Sequence, residues 1–249
     1  MSNNKILVAI GDSFVYGHYG DDLNHESCWQ RSWVKKLERI GNFKSSINMG
    51  APGGNNQRSF RMLMDFLSEH YDPKEEYVLI YGITELMRSE LVLSHEDMKK
   101  YNMPVFTYSP YDTKYDNIYA FGAWTVGKFK ALNSPRNSIT DYIETYHALL
   151  IDNKYMVNNI ENQMLAVHFI LNNYNIKHYF TETITLPGIT FNAGKKLGIE
   201  LPFIKYSYNN ETCIMAKLLL NHGYKVNWCG HFDHDANEFL ANYIHERIA

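Results

Sequence analysis

Lys5-Ile6-Leu7-Val8-Ala9-Ile10-Gly11-Asp12-Ser13 is the stretch on which the architecture turns. A short unbroken apolar run rich in strand formers, stopped by glycine and small polar residues, reads as a buried strand followed by a turn. Working outward, Trp29, Trp33, Leu37 and Ile40 recur at helical spacing and stop at Gly41. Residues 46–48 form a second short strand, broken by Gly50-Ala51-Pro52-Gly53-Gly54. Across 55–70 the apolar positions Phe60, Leu63, Met64 and Leu67 repeat helically until Asp72-Pro73, and 77–81 is a third strand ending at Gly82. Strand, helix, strand, helix, strand is the order of a parallel sheet with crossover helices. The expected fold class is α/β: a three-layer α/β/α sandwich with a central, mostly parallel sheet.

The remaining chain is less regular. Residues 94–138 fit no clean period and hold Tyr101, Tyr108, Tyr111, Tyr115, Tyr119, Trp124, Pro104, Pro110 and Pro135, so they are expected as an insertion lying over the sheet. Helical periodicity returns over 141–173, with a break near Asp152-Asn153; 176–180 supplies a fourth strand. Two more helices are expected over 211–222 and 235–247.

With 249 residues, 45% of them apolar and 20% charged, the chain can bury a proper core, which excludes disorder and collagen-like structure. That length fits one large α/β domain, residues 1–249, carrying the 94–138 insertion. The formal charge of -3, with Lys and Arg scattered, leaves no footprint for duplex DNA or an anionic membrane. No stretch is long and apolar enough to span a bilayer, and the opening run is too short for a signal peptide's core, so cytoplasmic synthesis is expected. Cys28, Cys213 and Cys229 are odd in number and lack metal-ligand spacing; they read as reduced thiols.

In a doubly wound sheet the ligand sits outside the carboxyl ends of the strands. Three strand-end loops should therefore converge: Gly11-Asp12-Ser13-Phe14, Gly50-Ala51-Pro52-Gly53-Gly54-Asn55 and Gly82-Ile83-Thr84-Glu85. Ser13 stands where a nucleophile would, just past a buried strand, with nearby backbone N–H groups to receive an oxyanion. The plain alternative is a turn serine. A serine needs a base, and Cys229-Gly230-His231-Phe232-Asp233-His234-Asp235 offers two histidines. The same run can be read as a metal cluster of His231, Asp233, His234 and Asp235, but no matched ligands stand elsewhere, and Asp235 is well placed to start a helix. Cys229 as nucleophile needs a different geometry.

These residues resemble the SGNH, or GDSL, hydrolase family. Ser13 matches its first block, and Gly53 within Asn48-Met49-Gly50-Ala51-Pro52-Gly53 matches its second. The family's histidine lies ten residues before a small residue of the last helix, which from Ala241 selects His231 and leaves His234 as runner-up. Within the family the chain looks closest to phage-type and environmental members, through Gly50-Ala51-Pro52-Gly53-Gly54-Asn55-Asn56 and Gly82-Ile83-Thr84-Glu85-Leu86-Met87-Arg88-Ser89-Glu90. The resemblance implies a flavodoxin-like topology, with Ser13 and His231 catalytic and an oxyanion hole of Ser13, Gly53 and Thr84.

The chain departs from the family in two places. Thr84 and Glu85 stand where the family has Asn-Asp, and Trp228 stands where its Asp precedes the histidine. Losing an oxyanion donor costs about 10²–10³ in rate, and disabling the Asp of a serine protease about 10⁴. A dyad held by a main-chain carbonyl, a carboxylate from elsewhere and a retired site all stay open. Asp12, Asn55, Asn56, Arg88 and Glu90 are candidates for substrate contact or support. Asn55 and Asn56 read first as N-caps, and Arg88 with Glu90 as a structural ion pair.

The expected function is a serine esterase removing a small acyl group, such as acetyl, from an oxygen of a glycan, with the tyrosine-rich insertion selecting the substrate and no cofactor or metal required. One alternative is an O-acyltransferase using the same site. The other is a binding or structural protein, for instance a virion component, that kept the fold and lost the chemistry.

Overall fold

The structure, a computed structural model, describes residues 3–18, 24–86, 88–100, 111, 118–121, 141, 145, 153–184, 191–227 and 231–249. The elements are β1 (Asn3–Ile10), α1 (Ser13–Tyr16), α2 (His25–Arg31), α3 (Trp33–Ile40), β2 (Phe43–Asn48), α4 (Asn56–Asp65), β3 (Glu76–Ile83), β4 (Ser89–Val92), α5 (His95–Lys100), β5 (Ile118–Phe121), α6 (Asn153–Asn173), β6 (Lys177–Glu182), β7 (Tyr206–Tyr208), β8 (Glu211–Cys213), α7 (Met215–Asn221) and α8 (His234–Ile248). The central sheet is parallel throughout, in the order β2-β1-β3-β6. Phe203 bridges to Phe180 in parallel, continuing the sheet beyond β6. This follows the doubly wound order in which the winding reverses between β1 and β3.

The apolar run of β1 is continuous because both faces of the sheet are covered. Leu7 and Ala9, with Val78 and Ile80 of β3, pack under α3 (Trp33, Val34, Leu37), α7 (Met215, Leu218) and α8 (Leu240, Ile244). Val8 and Ile10, with Leu79 and Tyr81, face α4 (Met62, Leu63) and α6 (Ile160, Met164, Val167, Leu171). The layers are those of an α/β/α sandwich, as the sequence pattern implies.

Several expected boundaries shift. The helix read across Trp29 and Trp33 is two helices, because Ser32 is extended and its hydroxyl caps Lys35 N–H at 3.2 Å while donating to the Trp29 carbonyl at 2.7 Å. The helix expected over 211–222 starts only at Met215, since Glu211–Cys213 pairs antiparallel with Tyr206–Tyr208. Asn209 and Asn210 turn that hairpin at φ of 50° and 66°, the left-handed pair that a tight hairpin turn requires. Asp233, rather than Asp235, caps the last helix, accepting from Ala236 N–H at 3.1 Å.

Most of the tyrosine-rich insertion, including Tyr101, Tyr108, Tyr115 and Trp124, lies outside the described residues. Within it, β5 pairs antiparallel with β4. Tyr111 packs edge-on against His70, with ring centroids 5.6 Å apart. His70 closes the wider helical turn after α4, at the end of the sheet opposite to Ser13.

Candidate active site

Ser13 owes its place to the two residues on either side of α1. Asp12 is extended and caps the turn through Oδ1, which accepts from Phe14 N–H at 3.0 Å. Gly17 ends the turn at φ 84°, and a Cβ there would stand 2.4 Å from the Cys28 carbonyl, so only glycine fits. The N–H groups of Gly17 and His18 both donate to the Ser13 carbonyl at 3.1 Å. The result is a single helical turn holding Ser13 at the carboxyl end of β1, beside the reversal in strand order.

His231 comes from the other end of the chain. Val226 and Phe232 form an antiparallel bridge. Asn227 N–H donates to the His231 carbonyl at 2.9 Å, and His231 N–H returns to Asn227 Oδ1 at 3.0 Å. This closed loop leads directly into the capped start of α8. His231 Nε2 lies 2.6 Å from Ser13 Oγ, a bond between side chains 218 positions apart in sequence. Phe14 and His18 place their rings against the imidazole, with centroids at 5.3 and 4.5 Å. A cavity of about 10 Å³, room for roughly one water, adjoins Ser13, His18, His231, Leu219 and Phe232. Trp228, Cys229 and Gly230 lie outside the described residues.

The competing histidine is engaged elsewhere. His234 Nε2 is 3.0 Å from Lys36 Nζ, which also pairs with Glu238 at 2.7 Å. With His234 turned to Lys36 of α3 and Asp233 capping α8, the run read as a metal cluster does not converge. Among the described residues no group of three or more His, Cys, Asp or Glu is placed to hold a metal ion.

Beneath Ser13 a polar network ties the strand ends together. Asp12 is fully buried, and its Oδ2 accepts from Thr84 Oγ1 at 2.7 Å and Thr183 Oγ1 at 2.9 Å. One carboxylate therefore joins the residues following β1, β3 and β6. Asn56 clamps Thr84 from α4, accepting from its N–H at 3.0 Å and donating to its carbonyl at 3.2 Å. Asn55 caps α4, its Oδ1 2.8 Å from Arg58 N. The buried Arg58 donates to the Met49 carbonyl at 2.8 Å, and Asn48 donates to Val15 O at 2.8 Å.

Two expectations change here. Thr84 has a single hydroxyl proton and gives it to Asp12, so it is not aimed at an oxyanion. Arg88 and Glu90 do not pair with each other. Glu90, on β4, takes a two-pronged bond from Arg61 of α4 at 2.7 and 3.0 Å. Arg88, in the turn before β4, reaches back to the Gly54 carbonyl at 3.1 Å, to Glu85 at 3.4 Å and to within 3.8 Å of Asp12.

The amides of Ser13 and Gly53 have no acceptor among the described residues. Gly53 sits at φ 70°, a conformation that side-chain-bearing residues rarely adopt. Amides without an acceptor are donors still available to a ligand.

Sequence reasoning missed His18, Asn227, Thr183 and Arg58. His18 alone carried a signal, following the glycine that closes the turn holding Ser13. Thr183 acts through its hydroxyl on Asp12 and Asn227 through its amide oxygen on His231 N–H, and no spacing rule marks either. Compared with protein-family models and with curated proteins, the chain finds no match.

Proposed function

We propose that the chain is an SGNH-type serine esterase that releases small acyl groups. The 2.6 Å contact between His231 Nε2 and Ser13 Oγ carries this reading. With Nε2 accepting, the neutral ring holds its own proton on Nδ1, and the base is oriented to take the hydroxyl proton as Oγ attacks an ester carbonyl. The Oγ–carbonyl bond forms, the oxygen becomes an oxyanion facing the Ser13 and Gly53 amides, and collapse expels the alcohol with the proton from Nε2. Water then attacks the acyl-serine, giving its proton to Nε2, and the acid leaves as Oγ recovers a proton. No cofactor enters these steps.

Asp12, Asn55 and Asn56 support this machinery from below: their partners are backbone groups and threonines of the strand ends. Arg88 supports the loop of Gly53 by holding the Gly54 carbonyl. The oxyanion hole is assigned to two amides and not to Thr84.

One observation favours a second reading, a site retired into a binding or structural role. The Thr84 hydroxyl is committed to Asp12, which leaves the hole without the side-chain donor of the family pattern.

The test is turnover of a small activated acetyl ester near pH 8 by the wild type, Ser13→Ala and His231→Ala at matched concentration. Loss of turnover in both variants, with unchanged melting profiles, is the expected result. Equal slow rates in all three proteins would sink the esterase reading and favour the retired site.

A further inference from the structure

An imidazole in a catalytic dyad must hold more than one contact. The χ2 torsion of histidine is soft and roughly two-fold, and a serine hydroxyl rotates, so the bond between them fixes neither ring plane nor distance. Rings packed against the imidazole restrict that torsion. Among the described residues two rings lie against His231, and both come from the segment that carries Ser13. Phe14 stands at 5.3 Å and 45°, and His18 is closer, at 4.5 Å and 56°. Both follow Ser13 in sequence, by one residue and by five.

His18 is tied to the nucleophile through the backbone. Its N–H donates to the Ser13 carbonyl at 3.1 Å, and the left-handed Gly17 fixes the turn between them. Its side chain lines the same small cavity as Ser13 and His231. Any shift of the nucleophile's turn thus moves the ring packed on the base by the same amount.

We propose that His18 is a positioning residue for the base: its ring holds the His231 imidazole in the orientation that keeps Nε2 on Ser13 Oγ. The proposal rests on the ester-hydrolase reading and adds to it a residue that neither touches the reacting atoms nor belongs to the dyad. The requirement at position 18 is a flat ring of limited size, and the imidazole's own protons are secondary.

Three variants test this: His18→Ala, His18→Leu and His18→Phe. Each is assayed on the activated acetyl ester for kcat and KM separately, by the rate at which a fluorophosphonate labels Ser13, and by thermal melting. Misplacement of a reacting group by about an ångström costs up to roughly 10²-fold. His18→Ala and His18→Leu should therefore lose about 10- to 100-fold in kcat and in labelling rate, with KM within about two-fold. His18→Phe should recover most of both. If His18→Ala fails to fold, the comparison of His18→Leu with His18→Phe carries the test, because both fill the space and only one is a ring.

Wild-type kcat in the folded His18→Ala or His18→Leu protein would overturn the proposal. So would a His18→Phe variant as impaired as His18→Leu. If those results accompany dead Ser13→Ala and His231→Ala proteins, the esterase reading stands and only the role of His18 falls. An inert wild type removes both.

Discussion

Asp12 is the residue at which support and chemistry separate most sharply. Its carboxylate is fully buried and takes three hydrogen bonds: Phe14 N–H at 3.0 Å, Thr84 Oγ1 at 2.7 Å and Thr183 Oγ1 at 2.9 Å. Each bond to a charged acceptor is worth about 1.5–3 kcal/mol, and a buried donor left without a partner costs about 1–3 kcal/mol. Thr183 has a fallback, since its hydroxyl also lies 3.0 Å from the Ile83 carbonyl. Asp12→Ala therefore strands chiefly Phe14 N–H and Thr84, removes the cap of α1, and should cost about 3–5 kcal/mol. For a chain of this size that is a fall in Tm of very roughly 6–20 °C. Asp12→Asn keeps one acceptor for Phe14 N–H and presents an NH₂ to the threonines, which can accept once Thr183 turns to Ile83; its cost should be about 1–2 kcal/mol. Urea unfolding followed by circular dichroism gives both values, and turnover of the acetyl ester is measured on the same preparations. If Asp12 only supports the turn, Asp12→Asn should retain turnover within about 10-fold, while Asp12→Ala loses stability and activity together. A fully stable Asp12→Asn protein with turnover down by 10³-fold or more would refute that reasoning and make Asp12 part of the chemistry.

Thr84→Val removes the hydroxyl that points at Asp12; stability should drop by about 1–3 kcal/mol, and kcat should fall by less than about 10-fold, short of the 10²–10³ of a lost oxyanion donor. A loss in that larger range in a folded variant would return Thr84 to the oxyanion hole. Far from the site, His178 Nδ1–H donates to the Ile176 carbonyl at 2.9 Å, leaving Nε2 to accept from His168 Nδ1–H at 2.9 Å, an arrangement that needs the His178 ring neutral. Burial pushes the pKa of both histidines below the usual value. The unfolded chain then binds more protons than the folded one below about pH 6.5, so stability should fall as pH drops through that value. Urea midpoints at pH 7.5 and 5 should show the drop, and His178→Phe should shrink it; an identical drop in the variant counts against this origin.

The central sheet was legible because β1 and β3 are buried on both faces, and a strand covered twice is an unbroken apolar run, here stopped each time by a glycine. The resemblance to a hydrolase pattern then put Ser13, Gly53 and His231 on the page as a set. Local chemistry also announced itself at Asn55, where an asparagine before a helical period reads as a cap and is one. The hairpin at Tyr206–Tyr208 was missed because its strands are only three residues each, too short to show a period.

What the sequence by itself determined was the identity of the four central strands, their burial and the residue types gathered at their carboxyl ends. Only the tertiary structure decided between His231 and His234, because that choice depends on which ring reaches Ser13 across 218 positions of chain, with the other drawn to Lys36 on α3. It likewise decided that Thr84 serves Asp12, that Glu90 pairs with Arg61, and that His18 packs on His231. Periodicity encodes which side of an element is buried; it carries no information on which polar atoms from separate elements come within hydrogen-bonding range, and those pairings exist only once the layers are packed.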